Sequence, residues 1–282
     1  MRNSSRLPSR SFKLNTDESL SPYLAENPPV KKSTKVWQAY DVPASKELVY
    51  SSVTDKENTS SSIELLYKLP RETNVLIKDF KDDIIKQLFS SMMNSRLDEI
   101  SRKADAPFLA AGGGFGSLVR TKSSFDVNAR CTETKFRVAL KVVIDELERI
   151  RRYGFTQTEL DRVKLEALDN IKRAYNERDK SPSAGFAREY VSNFLTKEPI
   201  PGIEKEYEYY NAFIAQVTLE EISNVGKLYL TGSENCLALI TSPQKPGLDI
   251  PTSDEIKKMF SDVKEAKLEA YVDKVSNKPL IE

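Results

Sequence analysis

The sequence predicts an α+β fold, an antiparallel sheet covered on one face by helices. Three observations carry this. Strand-like runs follow one another without crossover helices, which implies antiparallel pairing. The helical patterns gather after the strands, which places them together on one face. Residues 134–178 read as two helices with a tight corner between them, and their two apolar stripes need one shared surface to cover.

The helix pair is the best-marked stretch. Phe136, Ala139, Leu140, Val143, Leu147 and Ile150 fall at three- and four-residue spacings, one face of a 3.6-residue helix. Gly154 suits the left-handed residue that ends a helix. Thr156 and Glu159 form a capping box, each side chain satisfying a free N–H at the next helix start. Leu160, Val163, Ala167, Ile171 and Ala174 repeat the stripe.

In chain order, residues 1–35 carry Ser, Pro, Asn and charge with little periodicity, and are expected to be an irregular tail or linker remnant. VWQAYDV (36–42), ELVYSSVT (47–54) and SIELLYKL (62–69) read as strands, with a polar turn before the third and Pro70 stopping it. Residues 73–103 read as a long helix on Ile77, Phe80, Ile84, Leu88 and Met92. Its polar, positive end suits a C-terminus, and Pro107 forbids continuation. FLAAGGGFGSLV (108–119) and RTKSSFDVNARC (120–131) read as a strand pair. In the second, Phe125, Val127, Ala129 and Cys131 alternate with Asp126, Asn128 and Arg130, one face buried and one wet.

Past the helix pair, Ser181 can cap, with Pro182 at the first helical position. Phe186, Tyr190, Val191 and Phe194 then form an apolar face. Pro199, Pro201 and Gly202 break the chain. Residues 203–215 form a helix with Tyr207, Tyr210 and Ile214 on one side, an aromatic stripe read as core. Thr218 with Glu221 and Thr252 with Glu255 are further capping boxes, on either side of the short apolar strand NCLALITS (235–242). LEAYVDKVSNKPLIE loses periodicity and reads as a linker. The folded domain is therefore expected over 36–265, with 266–282 outside it.

Composition bounds the chemistry. A net charge of +1 gives no field favouring nucleic acid. No run approaches the roughly 20 apolar residues that span a bilayer. The start, MRNSSRLPSRSFK, lacks the apolar h-region of a secretory signal. Cys131 and Cys236 sit in apolar, strand-like runs and read as buried thiols; a disulfide between neighbouring strands stays open. The most informative count is zero histidines. It removes the usual general base, the commonest zinc ligand, and every Ser–His or Cys–His nucleophile pair. Chemistry would have to run on Asp, Glu, Lys, Tyr or Cys, and no two carboxylates are placed as an acid/base couple.

The run Gly112, Gly113, Gly114 and Gly116 lacks the Lys, the Ser/Thr and the following helix of a phosphate loop. It reads as a bulge or a close backbone approach in a strand, or as bare backbone along which an extended peptide lies. The charge clusters Lys81–Asp83 and Glu146–Arg152 lie opposite the apolar stripes and read as solvated faces.

NSRLDEISRKADAPF, a small-residue strand, VRTKSSFDVNARC and a long helix ending in ELERIRRYGFTQTELDRVK form an ordered series. It resembles the non-catalytic repeat domain of the insulinase/pitrilysin zinc metallopeptidases, the inverted zincins that include the mitochondrial processing peptidases. NERDKSPSAGFAREYVSNFL followed by PIPGIEKEYEY resembles the long, single-chain bacterial members. The resemblance covers about residues 30–282, and RxGFTxxEL is its strongest piece.

The resemblance implies the processing-peptidase-like metallohydrolase fold, with four homologous domains in two halves that enclose a chamber. The first domain carries H-x-x-E-H, two His as zinc ligands and the Glu as general base, with a further Glu downstream. None of these can be placed here. The resemblance therefore makes this segment the metal-free second domain of the first half, with zinc in the catalytic domain of the parent chain and residues 266–282 leading to the second half. It implies a catalytic domain and a peptide substrate as partners, and a cell-envelope or periplasmic parent. The family's transition-state Arg and Tyr stand seven apart after the long helix. Here Arg102 precedes Phe108 by six, and Phe has no hydroxyl. The pattern is broken, and Arg102 reads as a helix-end cation. Arg102, Phe108, Gly113 and Gly114 are the candidate substrate-facing residues. The expected function is a non-catalytic domain that shapes the substrate chamber and binds peptide by strand addition, with VWQAYDV and CLALITS as candidate edges. The alternative is a stand-alone inactive homologue acting as a scaffold or partner subunit; an H-x-x-E-H upstream in the same reading frame separates the two.

Overall fold

The computed structural model describes residues 40–72 and 74–273, and from Asp41 on they belong to one unit. The strands among them are β1 (Val49–Asp55), β2 (Ser61–Pro70), β3 (Ala110–Val119), β4 (Lys122–Cys131) and β5 (Cys236–Pro243). They form one sheet in the order β1-β5-β2-β4-β3. Three of the junctions are antiparallel and β1 with β5 is parallel. The expectation that successive strands pair holds for β3 with β4 and fails for β1 with β2, because β5 slides between them. The reason lies in the side chains. β5 is apolar and needs a neighbour on each side, whereas β1, with Ser51, Ser52, Thr54 and Asp55, tolerates an edge. CLALITS is therefore central, not an edge. Tyr40–Val42 is irregular, and the rest of VWQAYDV lies outside the described residues.

The helices are α1 (Ile77–Ser101), α2 (Phe136–Tyr153), α3 (Gln157–Asn176), α4 (Ser183–Thr196), α5 (Ile203–Ile214), α6 (Leu219–Tyr229) and α7 (Ser253–Glu265). One face of the sheet is sealed: Ile63, Leu65 and Tyr67 of β2, Phe125, Val127 and Ala129 of β4, and Ala238 and Ile240 of β5 are buried. The alternate positions Glu64, Leu66, Asp126, Leu237 and Leu239 are only half-buried. The helices thus cover one face and leave the other bare, as the period-2 pattern requires. Phe89 of α1 sits at the centre, with the Phe115, Phe125 and Phe155 rings 5.5–6.2 Å away in edge-on contact.

The local signals hold. Thr156, Thr218 and Thr252 each accept from the backbone N–H three residues on, and Glu159, Glu221 and Glu255 each reach back to the cap. Gly154 has φ +65°, and a Cβ there would stand 2.4 Å from the Ser223 hydroxyl. The β3 glycines are a close approach. A Cβ on Gly113 would lie 1.8 Å from the Asp126 carbonyl oxygen of β4. The Asn94 amide of α1 donates to Gly113 O (3.0 Å) and accepts from Gly113 N (2.8 Å). Cys131 and Cys236 are free, buried thiols. At the start of α4 the cap is shifted by one: Pro182 is the N-cap residue and Ser183 begins the helix.

Three expectations are corrected. Glu146–Arg152 is not a solvated face: Glu146 and Glu148 are 2% and 8% exposed. Glu146 faces Arg96 of α1, itself 2% exposed, which also grips Glu159 with Nε (2.7 Å) and Nη2 (2.9 Å) and the Gly154 carbonyl (3.1 Å). The polar end of α1 is thus internal at Arg96, which falls three and four residues after Met93 and Met92 on the buried stripe. Second, the apolar face of α4 forms but is uncovered, with no residue of the helix buried. Third, Ala266–Asp273 is irregular yet bound down. The Tyr271 ring centre lies 4.2 Å from the Arg96 guanidinium, and that of Phe155 4.6 Å. Tyr153 and Arg149 donate to the Leu268 and Glu269 carbonyls, and Thr158 and Arg162 hold Asp273.

Candidate functional site

Four hollows meet at Asp83 of α1. The largest, about 710 Å³, is a groove between α1, α3 and the edge strand β3, lined by Ser90, Asn94, Gly114, Phe115, Val163 and Ile171. A second of about 480 Å³ runs toward the β3–β4 turn, and a third of about 610 Å³ toward α6 and Tyr229. The fourth, about 360 Å³, lies between the start of α1 and α5, walled by Phe80, Pro199, Tyr209 and Tyr210. The groove exists because β3 is nearly free of side chains where α1 crosses it. Ser90 and Asn94, one turn apart, meet Gly114 and Gly112.

Asp83 is half-buried and accepts from the Asn74 amide. Burial pushes its carboxyl up to about 6. Lys86 opposes that rise, while Glu72, Glu198 and Asp82 add to it. Lys86 is pledged to Glu72 and lies 5.6 and 5.8 Å from the Phe115 and Tyr229 ring centres. The Tyr229 hydroxyl donates to Glu72 (3.0 Å), and burial with the Glu72 charge pushes it up to about 12. Lys81 pairs with Glu221 (2.7 Å), so only Asp82 of the Lys81–Asp83 cluster is a plainly exposed charge. On the bare sheet face Glu64 and Asp126 are both raised by burial, Glu64 also by the Asp126 charge.

The four predicted residues do not form one site. Gly114 lines the groove. Gly113 turns its N–H and C=O to Asn94. Arg102 caps the end of α1 in the open and pairs with Asp98 at 2.6 Å. Phe108 is 2% exposed and belongs to the core, so its side chain is not open to a substrate. Sequence reasoning missed Asp83, whose isolation depends on elements distant in the chain. It also missed Arg96, whose signal was its place on the buried stripe of α1.

The donor set does not fit zinc. The chain has no His, and among the described residues no three Cys, Asp or Glu side chains are placed to hold a metal. Burial pushes the Cys131 and Cys236 thiols up to about 11 and about 12, away from the thiolate that zinc needs.

Comparison with known proteins gives the family. The zinc protease PQQL-like of Arabidopsis thaliana is 27% identical over 224 residues, 79% of this chain and 20% of that protein. The chain spans about a fifth of the length of the curated relatives it matches. In the crystal structure of the first half of the periplasmic protease PqqL from Escherichia coli, a TM-score of 0.78 at 19% identity covers 90% of this chain and 54% of that one. Against the whole of PqqL the TM-score is 0.77 at 18% identity, covering 92% and 29%. These structures establish the fold, helices on one face of a sheet as in insulinase-like proteases. The profile of the Peptidase M16 inactive domain matches residues 16–166, more than half of the sequence, and the chain belongs to that family.

Proposed function

We propose that this chain is the metal-free, non-catalytic domain of a longer zinc metalloendopeptidase, in which it shapes a wall of the substrate chamber and holds peptide by strand addition. The observation that carries this is the pairing of an open edge strand with a groove in a chain that has no His and, among the described residues, no cluster of zinc donors. β3 is an edge of the sheet, and the 710 Å³ groove runs beside its glycines. Main-chain pairing needs backbone approach, which side chains would obstruct. Neither VWQAYDV nor CLALITS offers such an edge among the described residues. Asn94 already occupies Gly113, so main-chain pairing starts at Phe115, the next residue whose backbone faces outward, with Gly114 as the bare contact beside it in the groove. The bare sheet face is the chamber wall, and the zinc and its general base belong to the catalytic domain of the parent.

Zinc-binding and peptidase assays on the isolated chain test the first part. No stoichiometric zinc and no cleavage are expected; tight zinc, or hydrolysis surviving chelator controls, overturns it. Peptide holding is tested by titrating an unstructured peptide against the chain. Gly114→Val, which puts a branched side chain toward Ser90, is expected to weaken binding at least roughly tenfold. Unchanged binding removes strand addition at β3.

A further inference from the structure

The helix α4 has an apolar face that buries no side chain among the described residues. Phe186, Tyr190, Val191, Phe194 and Leu195 repeat at four- and five-residue steps along one side, and they are 46%, 65%, 57%, 75% and 58% exposed. The hydrogen bonds at its end stay local: Ser192 and Asn193 bond Glu198, and Thr196 bonds the Ser192 carbonyl. Around Gly185 there is open space. Of the stripe, Phe194 has the Lys197 ammonium 5.9 Å from its ring, and Leu195 reaches the hollow that also holds Arg71 and Phe115. The other helices of more than ten residues each bury at least one side chain in the core.

From this face we infer that α4 is a docking helix for another domain of the same polypeptide, one that presents an apolar, uncharged surface. The inference rests on the reading of the chain as part of a longer protease. The five residues of the stripe carry no charge, and apart from the Lys197 ammonium over Phe194 at its C-terminal end a partner placing a charge along it would bury that charge unpaired. Five side chains of this size, about half to three-quarters open, expose on the order of 500 Å², at the upper end of what a monomer leaves uncovered. A stable complex of free partners needs roughly 800 Å² a side, so α4 alone is too small to hold a second copy. A tethered domain meets it at an effective concentration in the millimolar range, where a small face suffices. The relatives are about three and a half to four times as long as this chain, and it fills 54% of the solved half of PqqL, so such proteins hold further domains beside this one.

The test compares amide hydrogen exchange of Ser183–Thr196 in the 282-residue chain and in the full gene product that carries it. Exchange of α4 is expected to slow at least roughly tenfold in the full product, and Phe186→Ser with Phe194→Ser is expected to erase the difference. Both residues are exposed, so the melting temperature of the 282-residue chain serves as a control and stays unchanged. Equal exchange in the two forms, or slowing that survives the double substitution, overturns the inference. So does a concentration-dependent dimer of the 282-residue chain that the double substitution dissolves, which would make the occupant a second copy. Zinc-dependent peptidase activity of the full product is measured alongside. If it is absent, the domain reading fails; if it is present while α4 exchanges freely, only the docking fails.

Discussion

Replacing Arg96 with Met tests the interior of this domain most directly. The guanidinium makes two bonds to Glu159, one to Glu146 and one to the Gly154 carbonyl, and lies within 4.6 Å of the Phe155 and Tyr271 ring centres. All three charged residues are 2–3% exposed. Removing one partner of a buried ion pair costs roughly 3–5 kcal/mol, because the remaining charge stays desolvated. Here both carboxylates keep other donors. Glu159 holds the Thr156 N–H (2.7 Å) and hydroxyl, and Glu146 holds Arg149. The expected loss is therefore at the lower end, about 3 kcal/mol. For a domain of this size that is a fall of roughly 6–12 °C in melting temperature. Urea unfolding followed by far-UV circular dichroism measures it. Combining Arg96→Met with Glu159→Gln removes the stranded charge, so the double variant is expected to be more stable than the sum of the single losses by about 0.5–3 kcal/mol. A loss below about 1 kcal/mol, or strict additivity, would show that the cage is solvated and refute the reasoning.

Four further outcomes are expected. Gly113→Ala drives a Cβ into the Asp126 carbonyl and destabilises by roughly 1–3 kcal/mol, while Gly185→Ala, in open space on a helix, stabilises by up to about 1 kcal/mol; an unchanged melting temperature for Gly113→Ala would refute the close approach. The Asp83 carboxyl is expected to titrate at about 6, read by an NMR titration. Because its folded value lies above the unfolded one, its charge opposes folding at neutral pH, and that opposition is relieved as pH falls through about 6; Asp83→Asn stabilises at neutral pH by about 1 kcal/mol or less after solvent screening, and a midpoint in the ordinary carboxylate range removes the effect. Glu255 runs the other way: Arg137 and the Thr252 N–H hold it down to about 2, so its support of α7 is full above the ordinary carboxylate range and lost as pH falls through about 2, and a chemical-shift titration of Glu255 that ends well above that range contradicts it. Tyr271→Ala is expected to raise hydrogen exchange in Ala266–Asp273 with the α1 core unchanged, and exchange that stays slow would show that the backbone bonds suffice without the ring.

Much of the architecture was legible because it is local. The three Thr–Glu boxes each close within one turn, so a spacing of three residues was enough to find them. The stripes of α2 and α3 and the alternation of β4 declared which side is buried, and the glycines of β3 declared a close approach. The site was less legible. Gly114 was found through its missing side chain, but Asp83 looked like any surface acid. Its carboxyl is raised by burial and by charges such as Glu198, which only the fold brings near.

The sequence by itself determined that sheet and helices would form two layers, where most helices begin, and that no imidazole is available as a metal ligand or general base, since these follow from side-chain period, caps and the lack of His. Tertiary structure alone decided that β5 would part β1 from β2, that Arg96 would lie inside its cage, and that the apolar stripe of α4 would stay open. Periodicity states that a face is apolar but not what meets it. Partnership depends on contacts between residues far apart in the chain, and one strand inserted between two others changes every neighbour without changing a single local pattern.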